Sequence, residues 1–205
     1  MAKISRDNLT FNKVLPYVLL FAGLAGMLAS FSLTAEKFHL LENPDYQLSC
    51  SLSPIVSCES SLSAPLGNLF GVPVTLFGMM AFTALAVFGV LLASGAKFKR
   101  WVWLCAQAAA LGGLVWIVSF ITYSLTVSGK ICPWCFLVWL GVIATVWGVT
   151  IYNFREGNFG QVKGKVLRWI VAHSDKNKVQ ILFGAYALLL LILLVRFWDY
   201  WVSLV

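Results

Sequence analysis

Apolar residues fall into five long runs along this chain, approximately Leu15–Thr34, Val72–Ser94, Trp101–Thr126, Cys132–Phe154 and Val179–Trp198, and polar residues gather between them. A helix rising roughly 1.5 Å per residue needs about 20 apolar residues to cover about 30 Å of hydrocarbon, so each run predicts a transmembrane helix. The first run is long and no small-residue cleavage site with a soluble sequel follows it, so it reads as a retained anchor and not a cleaved signal peptide. The longest polar interval, Ala35 to about Gly71, reads as a loop followed by a short helix. From Glu59 to Phe70 the apolar positions Leu62, Leu66, Leu69 and Phe70 share one side, which predicts an interfacial helix over the mouth of the bundle. Gly71 and Pro73 mark the bend into the second run.

Composition agrees with this pattern. Hydrophobic residues make up 60% of the 205 positions and charged ones only 11%, and the mean hydropathy is +0.85. The fold class expected is therefore an all-α integral membrane protein, a single membrane domain over 1–205. Its parts are a core over about 15–154, a connector over about 155–178 and an extra helix over about 179–198. The connector carries an amphipathic patch, Val166, Leu167, Trp169, Ile170 and Val171, suited to resting on the membrane surface.

Charge sets the expected orientation. Twelve of the fifteen basic residues lie on one side: Lys3, Arg6, Lys13, Lys97, Lys99, Arg100, Arg155, Lys163, Lys165, Arg168, Lys176 and Lys178. Lys37, Lys130 and Arg196 lie on the other, with Glu36, Glu42, Asp45, Glu59 and Asp199. The positive-inside rule then puts the N-terminus in the cytoplasm and the C-terminus outside. The formal net charge of +7 follows from this topology. The basic residues are scattered over short loops and form no stripe with aromatics, so no nucleic-acid partner is expected.

Four of the five cysteines form two spaced pairs, Cys50 with Cys58 and Cys132 with Cys135, and both pairs fall on the outer side. That side is oxidising, so disulfides can form and persist there. Cys132, Pro133, Trp134 and Cys135 open the fourth run. Pro133 suits the first helical position, which makes Cys132 the N-cap. The free N–H groups of the first turn and the helix dipole favour its thiolate, and Lys130 adds a nearby cation. Cys135 is expected deeper, among Trp134, Phe136 and Trp139. The segment from Cys50 through Leu52 and Pro54 to Cys58 is polar and reads as mobile, able to carry Cys50 toward a soluble partner while Cys58 stays near Cys132. Cys105, some 30 Å of helix from Cys132, is expected to be a small buried hydrophobe outside any relay.

Such an arrangement suits thiol electron traffic, but the residues alone leave other readings open. The first pair could be a loop-stapling disulfide, the second a structural disulfide or half of a metal site. A four-thiolate zinc cage beginning with a proline-containing C-x-x-C at the edge of lipid is awkward. No metal is expected.

The order of motifs resembles the vitamin K epoxide reductase family, especially its bacterial disulfide-forming members. The resemblance rests on the spaced Cys50 and Cys58, a short helix, the Gly71-Val72-Pro73 approach to the next span and the C-x-x-C opening a later span, and it covers roughly residues 15 to 153. It implies a four-helix transmembrane bundle around a quinone of the ubiquinone, menaquinone or vitamin K type, with the fifth span as an additional helix. It further implies that Cys50 exchanges with a soluble thioredoxin-like protein, Cys58 hands electrons to Cys132, and Cys135 contacts the quinone. A bacterial inner-membrane location follows. Many relatives carry a fused thioredoxin-like domain after the fifth span; here the partner is expected to be a separate protein.

Two positions depart from the pattern associated with vitamin K reduction. Val74 stands where many relatives have Asn, and Trp139 where vertebrate members have Tyr, which alters the donors available to a quinone oxygen. Thr75 or the indole of Trp139 could substitute. Ser63 lies near a functional Ser or Thr of relatives. Phe77 and the one-face series Trp116, Phe120 and Tyr123 are candidate pocket walls. The competing functions are a vitamin K quinone or epoxide reductase of the same family, and a non-enzymatic membrane protein with structural or metal-binding cysteines.

Overall fold

The structure, a computed structural model, describes residues 6–43, 45–51, 53, 55–160, 178–198 and 202, with side chains omitted at 6–10, 60 and 178. Outside it lie Lys3, Leu52, Pro54, Lys163, Lys165, Arg168, Lys176 and Asp199, and with them the expected amphipathic patch of the connector.

Five helices among the described residues are long and apolar enough to cross a membrane. They are α1 (Arg6–Glu42), α3 (Val74–Ala93), α4 (Arg100–Tyr123), α5 (Pro133–Arg155) and α6 (Lys178–Arg196). The protein is an all-α integral membrane protein, as the apolar runs required. The first helix differs from expectation. The segment from Ala35, read as loop, continues α1 to Glu42, because Ala35, Glu36, Lys37, Leu40 and Leu41 all favour helix and no breaker intervenes before Asn43 and Pro44. At 37 residues α1 is about 55 Å long, well beyond a hydrocarbon core of about 30 Å. Its last turns form a mast at the end of the bundle that carries the four paired cysteines, packed on one side by the segment that holds Cys50 and Cys58.

α1 is also the hub. It packs on α3 and α5, α5 packs on α4, and α6 lies against α5. The α1–α3 seam is close because glycines remove side chains from it. A Cβ on Gly23 would come within 2.5 Å of the Ala86 backbone nitrogen, and one on Gly89 within 2.6 Å of that of Leu20. Lipid tails are as apolar as leucine, so such close backbone approach is what holds transmembrane helices together.

α3 and α4 follow one another in sequence but do not pack along their length. They meet at the end away from the paired cysteines, where Phe88 lies 4.9 Å from Phe98 and 5.1 Å, edge-on, from Trp103. At that end a polar network pins α4 to α5: Gln107 bonds Thr150, and Asn153 donates to the Trp103 carbonyl (3.2 Å) and to Gln107 (3.3 Å). Toward the other end α3 and α4 diverge around a chamber.

The predicted interfacial helix is shorter than expected. α2 (Glu59–Leu62) is a single turn, followed by a 3-10 turn (Pro65–Gly67) and a two-residue hairpin, β1 (Asn68–Leu69) with β2 (Val72–Pro73). Phe70 and Gly71 take positive φ at the tip, 52° and 80°, the conformation of a type I′ turn. The apolar spacing at Leu62, Leu66 and Leu69 is real, but Pro65 and Gly67 break the helix that would have displayed it. α6 touches the core through Leu189, Leu193 and Phe197, which pack with Ile117, Trp139 and Val142. Two hydrogen bonds fix it, Tyr186 to the Leu140 carbonyl (2.9 Å) and Arg196 to the Leu125 carbonyl (2.8 Å).

Candidate active site

Two helix starts meet at the cysteine end. Cys58 is the N-cap of α2 and Cys132 the N-cap of α5, with Pro133 at the first helical position as the sequence predicts. A short parallel bridge brings them together: Ser57 N–H donates to the Ile131 carbonyl (3.1 Å) and Ile131 N–H to the Ile55 carbonyl (2.7 Å). The next residue on each strand is a cysteine. Their sulfurs lie 3.1 Å apart, though 74 positions separate them in sequence.

Cys58 is bonded to Cys50, with Cα atoms 5.8 Å apart, and Cys132 and Cys135 are free thiols. The pairing excludes Cys50 and Cys58 in this state as thiolate ligands for a metal. Cys50 is not exposed as expected: it is 4% exposed. Leu33, Leu48 and Leu62 pack around the disulfide. Glu36, buried on the mast of α1, accepts from both the backbone and the hydroxyl of Ser49, and Ser51 bonds Ser57 at 2.9 Å. The extension of α1 that the sequence reading missed is what supplies Glu36.

Cys132 is fully enclosed, and its sulfur accepts the Cys135 N–H at 3.4 Å. The Cys135 thiol is the chief influence that lowers the pKa of Cys132 from the ordinary thiol value. Burial opposes it, and the N–H groups of Cys135 and Trp134 and the Ser61 hydroxyl add to it. Lys130 is not among these influences; it lies 3.9 Å from Glu59 in an exposed ion pair. Ser61 reaches both Cys132 and Cys135. It went unnoticed in the sequence, although it stands three residues after Cys58, one turn along α2. Ser63, chosen instead, is exposed.

The expected gradient from exposed Cys50 to deepest Cys135 is reversed. Cys135 is half-buried because it borders the chamber between α3, α4 and α5, a cavity of about 700 Å³. Val74, Thr75, Phe77, Trp116, Phe120 and Trp139 all line it, and Tyr123 does not. Thr75 is held by the Thr34 hydroxyl at 2.8 Å. The Trp116 and Phe120 rings are 6.3 Å apart, and the buried Trp116 indole N–H has no acceptor among the described residues. Cys105 also lines the chamber and is exposed there, because α3 does not cover that face of α4; the buried position expected for it is not found.

A chamber of this size with largely apolar walls has the dimensions of a small-molecule pocket, and its rim carries a free thiol with a second thiol in contact. No curated protein matched the chain. A family model described as the vitamin K epoxide reductase family matches residues 17–150, which takes in both cysteine pairs, the mast of α1 and all the chamber walls. This transmembrane helical protein therefore belongs to the vitamin K epoxide reductase family, whose members are membrane oxidoreductases.

Proposed function

We propose that the protein makes disulfide bonds in a separate thioredoxin-like protein and passes the electrons to a quinone through its two cysteine pairs. The observation that carries this reading is the 3.1 Å contact between Cys58 and Cys132, with Cys135 opening from it into the chamber. A disulfide exchanges by thiolate attack on one sulfur and departure of the other, so two pairs can trade electrons only where their sulfurs touch.

In the cycle, a partner thiolate attacks Cys50, Cys58 leaves as thiolate, and the partner's second thiol completes its own disulfide. Cys58 then attacks Cys132 of the oxidised second pair, expelling Cys135. Cys50 attacks Cys58 in turn, re-forming the Cys50–Cys58 bond and expelling Cys132. The lowered pKa of Cys132 suits it to leave. The state described here, with the first pair bonded and the second reduced, is the one reached at that point. A quinone supplies an acceptor for two electrons and two protons. Cys132 and Cys135 give these up as they close their disulfide. Cys135 at the chamber rim would be the contact, Phe77, Phe120 and Trp139 would supply apolar walls for the ring, and Thr75 and Trp116 would offer hydrogen-bonding groups.

The orientation that suits this chemistry is the one charge predicts, with both pairs on the outer face of a bacterial plasma membrane, where partner proteins are oxidised. The test is to mix purified protein with a reduced thioredoxin-like protein and a short-chain quinone without oxygen. One quinol is expected for each partner disulfide. Turnover of vitamin K epoxide with no partner-linked quinol would instead favour the epoxide reductase.

A further inference from the structure

Among the described residues lining the chamber, one is charged: Lys37. It stands on the mast of α1, one position after Glu36, and its ammonium donates to the Leu62 carbonyl at 2.7 Å, the end of the turn that Cys58 begins. No carboxylate among the described residues lies within 4.0 Å of it. Nor is it among the groups that lower the Cys132 thiol, so it is not the thiolate's partner. Lys37 is half-buried, with its ammonium between the Leu62 carbonyl and an otherwise uncharged chamber wall, so it is placed to meet a polar atom that enters the chamber. Its ammonium has three donors, and the Leu62 carbonyl takes one.

We propose that Lys37 is the charged contact for a ring oxygen of the quinone, and the residue that hands that oxygen a proton as the Cys132–Cys135 dithiol is oxidised. This rests on the quinone-reducing reading. The two thiols lose two electrons and two protons and form one S–S bond, and the quinone becomes the quinol. Lys37 gives one of the two protons and recovers one from those the thiols release, so no further reactant is needed. Before transfer its charge offsets the negative charge that builds on the oxygen, where an apolar wall leaves that charge little screened.

The experiment measures binding, separately from turnover. Protein with both cysteine pairs oxidised is titrated with a short-chain benzoquinone, and quenching of tryptophan fluorescence, with Trp116 and Trp139 in the chamber wall nearest the quencher, reports occupancy. An alkylbenzene with the same tail, added as a competitor, reports the chamber without the oxygens. Lys37→Gln, which keeps a donor but no charge, is expected to bind the quinone about tenfold more weakly, the scale of one charge-assisted hydrogen bond. Lys37→Arg is expected to retain binding, and all three proteins to hold the alkylbenzene equally. Wild-type quinone affinity in Lys37→Gln overturns the assignment, as does equal loss of both probes, which would mark a role in packing alone. Failure of the wild type itself to bind the quinone removes the quinone reading and this inference with it.

Discussion

The backbone N–H of Ser57 donates to the carbonyl of Ile131 at 3.1 Å, and together with the bond that Ile131 donates to Ile55 it fixes the register in which Cys58 and Cys132 emerge side by side. Neither flanking segment is a regular strand. The contact between the two sulfurs is thus held by two backbone hydrogen bonds and by the caps of two helices. Ile131→Pro removes the other of those bonds, the one Ile131 donates to Ile55. The stability cost is expected to be about 1 kcal/mol, but displacing Cys132 by about 1 Å would slow partner-driven turnover about 100-fold. Stopped-flow oxidation of the partner checks this, and an unchanged rate would show that the bridge does not position the sulfurs.

Removing Cys50 leaves Cys58 without its mate and 3.1 Å from Cys132. In Cys50→Ala with its second pair oxidised, Cys58 is expected to attack Cys132 and expel Cys135, so that a Cys58–Cys132 disulfide accumulates, visible by peptide mapping after thiol alkylation. Free thiols at both positions would contradict the geometry.

The lowered pKa of Cys132 has a direction in pH. Folding makes this thiol easier to ionise, so its contribution to stability is present above the unfolded thiol pKa and fades as pH falls through the lower folded value. Thiolate absorbance of the reduced protein, taken as the difference from Cys132→Ser, is expected to titrate below the ordinary thiol range. Cys135→Ala, which removes the largest influence, should raise the midpoint most, and Ser61→Ala by less. A midpoint unmoved by Cys135→Ala would mean that the helix start alone activates the sulfur.

The glycine seam between α1 and α3 admits no side chain at Gly23, where a Cβ would fall 2.5 Å from the Ala86 nitrogen. Backbone cannot yield as a side chain can. Gly23→Val is expected to destabilise the protein by about 2 kcal/mol or more, read as a lowered thermal midpoint in detergent, and it should weaken α1 and with it the Glu36 support of the Cys50 loop.

Much of this was legible in the chain. The apolar run Val72–Ser94 forms a helix over Val74–Ala93, and Cys132 caps its helix with Pro133 behind it, because those features are local: apolar run length, a fixed φ and a missing N–H. The six chamber residues named from spacing and resemblance line one cavity, but helical spacing relates only Val74 to Phe77 and Trp116 to Phe120, and Tyr123, which shares that spacing, lies outside it. What escaped was non-local. The Ser57–Ile131 bridge joins two irregular segments and leaves no periodic trace. Helix formers at Ala35–Glu42 were outweighed by their polarity, which hid the mast that carries Glu36 and Lys37. Cys105 is expected to be buried because a cysteine in an apolar helix is usually a small packed hydrophobe, whereas α3 and α4 part around the chamber and leave it exposed.

In the proposed relay, electrons pass from one cysteine pair to the other through Cys58 and Cys132. The most direct measurement compares Cys58→Ser with the wild type under two reductants, the reduced thioredoxin-like partner and a small membrane-permeant dithiol able to reach the second pair unaided. The account predicts that quinol formation driven by the partner stops while formation driven by the small dithiol continues. Partner-driven quinol formation at the wild-type rate in Cys58→Ser would contradict it.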